Sequence, residues 1–454
     1  MKKEVKFLCP NGHLGFGPTK EGSFYIGVKE NPDYILCDSG SDDIGPGPLG
    51  ANICTSLKST QTHDLELMLV ESRRLGVPMI IGSAGDTGTN KQVDGYLEII
   101  KDLAKKHNLA PFKLGWFYSD VDKEYLVKKM QAGVEIEGLD GRHNLTAEEL
   151  EKTDRVVAVA GVHPFIKLLE MGADVIIGGR CSDAVIFAAP ALYEGMKEDE
   201  SYYLGKVLEC ASFCAEPYGG KESVMGTITQ DDVKVTAMNP DQMCTVASVA
   251  GHAMYERSNP YFEYVAGGLL DMTHCDYEQF DKKTCRITGM KFIPIEGKVK
   301  VKLEGAGRVG YRFVGIAGIR DPYSVQHVDE MIEWAKNQVK ARFPDGGYEL
   351  YYHVFGKNGV MGELEPIKEI KSHELCVVVT GIAPTKDMAE EVTMLGCRQL
   401  FYARLPEVKG TAGSVSFILD EVVQATDAYI WTLDHTVEVD DPMELFPVHM
   451  TEVK

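Results

Sequence analysis

The sequence predicts an α/β fold: an N-terminal open, mostly parallel sheet with helices on both faces, followed by a C-terminal mixed α/β region. Between residue 1 and about residue 190, short apolar runs alternate with amphipathic ones, the pattern of parallel strands covered on both sides. From about Val224 the texture turns to strand-like stretches such as "TITQDDVKVTAM" and "KVKVKLEG". At 454 residues the chain also exceeds a usual single domain, so two or three packed units are expected.

The predicted N-terminal strands are "VKFL" from Val5, "YILC" from Tyr34, "MIIG" from Met79, "KLGWFYS" from Lys113, "VVAVA" from Val156 and "DVIIGG" from Asp174. Helix-like stretches lie between them. "HDLELMLVESRRLG" stops at Gly76 and "NKQVDGYLEIIKDLAKKHN" at Asn108, both good C-terminal residues. Further on, a helix-like run covers Thr245 to Glu256, and "EMIEWAKNQVKARF" precedes the strand-like "YELYYHVFG". "HELCVVVTGIAP" and "MAEEVTMLGCRQLFYARL" pair a strand with a helix again. The expected division is a parallel α/β domain over 1–235 with ligand loops at its strand ends, a strand-rich mixed region over 236–345, and an α/β region over 346–454.

The 47 basic and 68 acidic side chains give a formal net charge of -21, spread along the chain. No clustered excess of Lys and Arg is present, so nucleic acid is not an expected partner. The opening apolar run is too short for a signal-peptide core, and no membrane span is expected. The 11 Cys are scattered and odd in number, which points to a reducing, cytoplasmic setting. Cys210 and Cys214 sit at helical spacing. Buried small hydrophobes are the better reading of them than iron-sulfur or zinc ligands, because no companion C-x-x-C completes a ligand set.

Ligands of open α/β sheets sit outside the carboxyl ends of the strands, and the loops there share a chemistry. "DSGSDDIGPGPLGAN" follows "YILC", "SAGDTGTN" follows "MIIG", and "RCSDA" follows "DVIIGG". They supply Asp38, Asp42, Asp43, Asp86 and Asp183 beside Arg180, Ser83, Thr87 and Ser182. One such loop would read as helix capping; together they read as a site. Carboxylate and hydroxyl oxygens suit a divalent metal such as Mg, with Asp38, Asp42 and Asp43 as ligands, or proton transfer beside a carboxylate or thioester. In the second case Asp86 and Asp183 serve as acid and base, Ser83, Thr87 and Ser182 bind substrate, and Arg180 clamps its carboxylate. A Gly-flanked Arg after an apolar strand is expected to be placed for reach and not for packing.

Two glycine patterns imitate a dinucleotide fingerprint. In "GPGPLG", Gly45 to Gly50, two prolines remove N–H donors, and "GAGRVG", Gly305 to Gly310, lies between strand-like stretches where a fingerprint needs a helix. NAD is therefore not expected. No G-x-S-x-G elbow is present, and His13 in "NGHLGFG" has no identifiable nucleophile partner. His163 in "GVHPF" precedes a predicted helix and is kept as a candidate acid or base.

"GADVIIGGRCSDAVIFAAPAL" from Gly172, "LLDMTHCDYEQFDKKTCRITGMKFIP" from Leu269 and "KVKVKLEGAGRVGYRFVGIAGIRDP" from Lys298 resemble the acyclic terpene utilization (AtuA-like) family. "VFGKNGVMGELEP", "HELCVVVTGIAPT" and "GTAGSVSF" extend the likeness over most of the chain. The resemblance implies a protein of cytoplasmic catabolic pathways that degrade branched terpenoids through CoA thioesters, often beside a small partner protein. The chemistry read from the loops then becomes that of a hydro-lyase acting on a small branched unsaturated carboxylate or its CoA thioester. Arg308 and Arg312 of "GAGRVGYR" are expected to bind substrate from the second unit, and an oligomer is expected. The alternatives are an isomerase or carboxylase-associated subunit on the same acyl compounds, or a non-catalytic subunit that activates a small partner protein.

Overall fold

Strands with both faces covered carry no polar alternation, and the N-terminal strands β1 (Val5–Cys9), β2 (Tyr34–Gly40) and β3 (Met79–Asp86) have almost none: every residue of β2 and β3 is buried. The computed structural model describes residues 2–41, 44–408 and 414–454. These divide into one unit formed by 1–306 with 431–454 and another formed by 307–430. Residue 235 falls inside a strand of the first unit, and residue 345 falls within the second.

The first unit continues through β4 (Phe112–Phe117), β5 (Glu137–Gly138), β6 (Arg155–Val159), β7 (Val175–Ile177), β8 (Val224–Ile228), β9 (Val233–Ala237), β10 (Phe262–Val265), β11 (Gly268–Asp271), β12 (Asp276–Gln279), β13 (Thr284–Thr288) and β14 (Lys291–Pro294). A ten-stranded sheet runs β12, β13, β9, β8, β1, β2, β3, β7, β4, then the C-terminal strand Val448–Val453. It is parallel through its centre, from β1 to β4. The flanking strands are antiparallel. The expectation of a mostly parallel sheet therefore holds only for this central part. The alternating stretches after Val224 add hairpin-joined strands to one edge of the same sheet.

The "VVAVA" run departs from expectation. It forms β6 but leaves the parallel sheet and pairs antiparallel with β15 (Val299–Ile319), Ala158 opposite Leu303. The short β7 fills the place between β3 and β4. An apolar run states that a strand is buried and not which partner buries it.

Helices Lys58–Leu75 and Asn90–Lys106 pack on each other and on β3. His163–Glu170, Val185–Tyr193 and Glu198–Leu208 form a second packed series, with Val185–Tyr193 also against β3. Crossovers that step in opposite directions along a parallel sheet place helices on opposite faces. Phe7, Phe117, Phe165, Phe187 and Tyr203 lie fully buried in the continuous core of this unit.

In the second unit, residues 311–319 of β15 pair antiparallel with β17 (Leu375–Ala383), which also pairs with β16 (Glu349–Phe355). β18 (Val415–Phe417) and β19 (Val423–Gln424) add to β15. Buried and half-buried residues alternate strictly along β17, as on a sheet covered on one face. Helix Lys386–Tyr402 packs there, with Val328–Arg342 beside it. "GAGRVG" lies wholly inside β15, so the chain does not turn into a helix there. Among the described residues no helix is long and apolar enough to cross a membrane.

Candidate functional site

Beyond β7 the chain keeps pairing with its neighbours as it leaves the sheet. Gly178 donates to the Ile81 carbonyl, Gly179 to Phe117 and Arg180 to Gly88. Gly88 has φ +61°, and a Cβ there would lie 2.2 Å from the Arg180 nitrogen. Only glycine permits that approach. Ser83, at φ 45°, accepts the Cys181 N–H at 3.2 Å and donates to the Cys181 carbonyl at 3.3 Å. The loops after β3 and β7 are thereby stitched together, and Arg180 is held between them.

Arg180 is buried, and its guanidinium grips Glu304 of β15 with two bonds: Nε to Oε2 at 2.8 Å and Nη2 to Oε1 at 3.2 Å. Its Nη1 lies 3.6 Å from Asp183 Oδ1. Lys302, two residues along the same strand, approaches Glu304 at 3.1 Å. Burial alone would raise the Glu304 carboxyl, but Arg180 and Lys302 outweigh it and hold it down at about 2. Arg180 is thus packed, contrary to the expectation of a reaching side chain. A buried guanidinium needs a carboxylate, and β15 supplies one from a distant part of the sequence.

The remaining acids around Arg180 are shifted upward. Asp38 is buried at the end of β2, where Oδ1 accepts the Ser39 and Gly40 N–H groups. Burial first and the Asp183 carboxylate second raise it well above the usual range, against the pull of those donors and of Arg180. Asp183 is also raised, by burial and by Glu304 and Glu263 against Arg180 and Lys206. Among the described residues its buried Oδ1 accepts no hydrogen bond, while the side chain as a whole keeps 41% exposure. That combination leaves it reachable by a small ligand. Beyond it, Lys206 pairs with Glu209 and, at 3.5 Å, with Glu263, which also binds Arg257 at 2.7 Å. Burial lifts Glu209 to about 8, with Asp183 and Glu263 adding to it against Lys206. Acids outnumber cations here, so the cluster retains protons that isolated carboxylates would lose.

Asp86 ends β3 in a left-handed conformation, φ 75°. Its Oδ2 accepts the Thr55 N–H and hydroxyl, and its Oδ1 accepts the Ser56 hydroxyl. It does not cap the following helix, whose N-cap residue is Thr89; it anchors the turn before helix Lys58–Leu75. Among the described residues the buried Thr87 Oγ1 has no hydrogen-bond partner, and Ser182 is half-buried.

His163 is exposed at the start of His163–Glu170, with Asp441 as its charged neighbour. Arg308 and Arg312 belong to the second unit. There Arg308 pairs with Asp427 at 3.3 Å, and Arg312 donates to the Thr426 carbonyl at 2.8 Å. Asp42 and Asp43 lie outside the described residues, leaving Asp38 of the proposed metal ligands. Among the described residues no three His, Cys, Asp or Glu side chains gather as a metal-holding group. Cys214 is buried, and its thiol donates to the Val207 carbonyl. Sequence reasoning missed Glu304, Lys206 and Glu209. Glu304 falls in the polar phase of "KVKVKLE", with Lys300 and Lys302, so the alternation itself gave no signal that it is buried.

The fold and this cluster define a mixed α/β protein with a buried ionic network at the carboxyl ends of its parallel strands. The family described as Acyclic terpene utilisation family protein AtuA matches residues 57–439. The chain belongs to that family. Comparison with curated proteins gives no match, and comparison with solved structures gives none either.

Proposed function

We propose that the chain is a hydro-lyase that adds water to a small branched unsaturated carboxylate or its CoA thioester, or removes it from the corresponding hydroxy compound. The observation that carries this reading is the placement of two carboxyls around Arg180: Asp38, buried at the end of β2 and held by the Ser39 and Gly40 N–H groups, and Asp183, 3.6 Å from the Arg180 guanidinium and partly open. Neighbouring carboxyls of unequal environment divide into an acid and a base. In dehydration Asp183, the more open of the two, takes the proton from the carbon beside the carbonyl. The electron pair of that C–H bond forms the double bond as the C–O bond breaks. Asp38 delivers its proton to the departing hydroxyl, which leaves as water. The Arg180–Glu304 pair fixes the loop that carries Asp183. Asp86 anchors Thr55 and Ser56 at the end of β3.

The test is incubation of the purified chain with mesaconate, citramalate and branched enoyl-CoA esters in deuterium oxide. Interconversion with deuterium incorporated at the carbon beside the carbonyl supports the reading, and Asp183→Asn should lower turnover by more than about 100-fold in a folded protein. A folded wild-type chain that turns over none of these compounds would overturn it.

A further inference from the structure

The loop after β1, Pro10 to Lys20, reaches the same end of the sheet and is firmly built. Asp64 accepts the Gly15 N–H at 3.3 Å, the Thr19 N–H at 2.8 Å and the Asn11 amide at 3.2 Å. Ser212 and Ser223 donate to the Asn11 and Pro10 carbonyls, and Leu14 donates to the Asp38 carbonyl at 2.9 Å. An imidazole stands at position 13, stacked on Phe16 with ring centroids 3.9 Å apart, and among the described residues its buried Nε2 has no hydrogen-bond partner.

Lys221 arrives beside it from another loop. Its backbone is left-handed, φ 58°, a strained state for a lysine. Its ammonium donates to the His13 carbonyl at 2.8 Å and lies 6.0 Å from the Phe16 ring centroid. Among the described residues no carboxylate forms an ion pair with it. The nearby carboxylates are engaged elsewhere: Asp64 by the loop, Asp86 by Thr55 and Ser56. A half-buried cation without a counter-ion and a buried ring nitrogen without a partner ask for the same thing, an anion with acceptor oxygens. Burial, with Lys221 adding to it, lowers the His13 imidazole to about 4 despite Asp86. At neutral pH it is an uncharged ring, able to donate one N–H.

We propose that Lys221 and His13 form the seat for a carboxylate of the substrate, so that the ligand is a free acid held by its carboxylate at this point. This rests on the reading of the site as one for small branched acids. It adds the residues that bind the acid.

The experiment uses the full chain and 2-methylsuccinate, a saturated acid that can be neither hydrated nor dehydrated. Calorimetric titration should show binding, weakened at least about tenfold by Lys221→Met, largely kept by Lys221→Arg, and weakened by His13→Ala. In wild-type protein labelled with nitrogen-15 in histidine, the His13 ring resonances should move on saturation. Because that measurement needs no variant, it decides the matter even if Lys221→Met does not fold. Absence of binding, an unmoved His13 ring, or equal affinity in folded variants would overturn the seat. So would inorganic phosphate that moves the ring where methylsuccinate does not. Binding through both residues without turnover of mesaconate or citramalate would count against the hydro-lyase reading alone. Turnover with an unchanged KM in both variants would count against the seat alone.

Discussion

Arg180 and Glu304 stand 124 residues apart in the chain and meet in a two-pronged ion pair inside the first unit. One lies in "GGRCSDA" and the other in "KLEGAGRVGYR", so two separate signature stretches are halves of one contact. Replacing Arg180 by Met leaves Glu304 buried and unpaired apart from Lys302. The expected loss is about 3–5 kcal/mol in urea unfolding. Arg180→Met combined with Glu304→Met should lose less than either single change, because neither charge is then stranded. An Arg180→Met protein of wild-type stability would refute this account of the pair.

Glu304 also sets acid sensitivity. Its carboxyl is held at about 2 in the fold against an ordinary value of 4.5. A depressed acid contributes stability that is fully present above the unfolded value and disappears as pH falls toward the folded one. Between about pH 4.5 and 2 the wild type should lose on the order of 3 kcal/mol from this group. Urea unfolding across that range should show a shallower slope for Glu304→Gln, and parallel slopes would count against the assignment.

Glu209 acts in the opposite sense. Its carboxyl is raised to about 8 from 4.5, so its contribution is complete below the ordinary value and is lost as pH climbs toward 8. Wild-type stability should therefore decline over that interval. Glu209→Gln, which imitates the protonated acid, should decline less. Thermal melts at successive pH values measure the difference, and a wild type equally stable at both ends with an identical variant would argue against it.

Asp86→Asn should be mild. The amide oxygen still accepts from Thr55, and the amide nitrogen donates to Ser56 if that hydroxyl turns, so the expected loss is about 1 kcal/mol with turnover largely kept. Asp86→Ala strands three donors and should cost about 2–3 kcal/mol. Denaturation curves for both variants, with assays on the identified substrate, test this. Abolished turnover in a stable Asp86→Asn protein would return Asp86 to the chemistry.

Much of the fold was legible because β2 and β3 open with apolar runs, β7 is apolar throughout, and helices Lys58–Leu75 and Asn90–Lys106 end on residues suited to stopping them. The loops that carry Asp38, Ser83, Asp86, Arg180 and Asp183 followed from the strand ends. Pairing partners were not legible. Val156 to Ala160 reads equally well beside β7 or β15, and its choice depends on strands more than 140 residues further on, a separation no local pattern records. The same ignorance of partners made Arg180 look free. Local spacing showed where the guanidinium begins, and only the register of β6 against β15 shows what it meets.

That register has a consequence for how this protein can vary. Glu304 faces Arg180 because it lies opposite Val157, with Leu303 and Gly305 turned to the other side. Adding or removing one residue in this paired segment would rotate the acid away and turn a leucine or a glycine toward the guanidinium. Substitutions can accumulate along the segment, but its length cannot drift. Insertions and deletions in relatives should accordingly collect in the surface loops and leave the stretch from Lys302 to Ala306 without gaps.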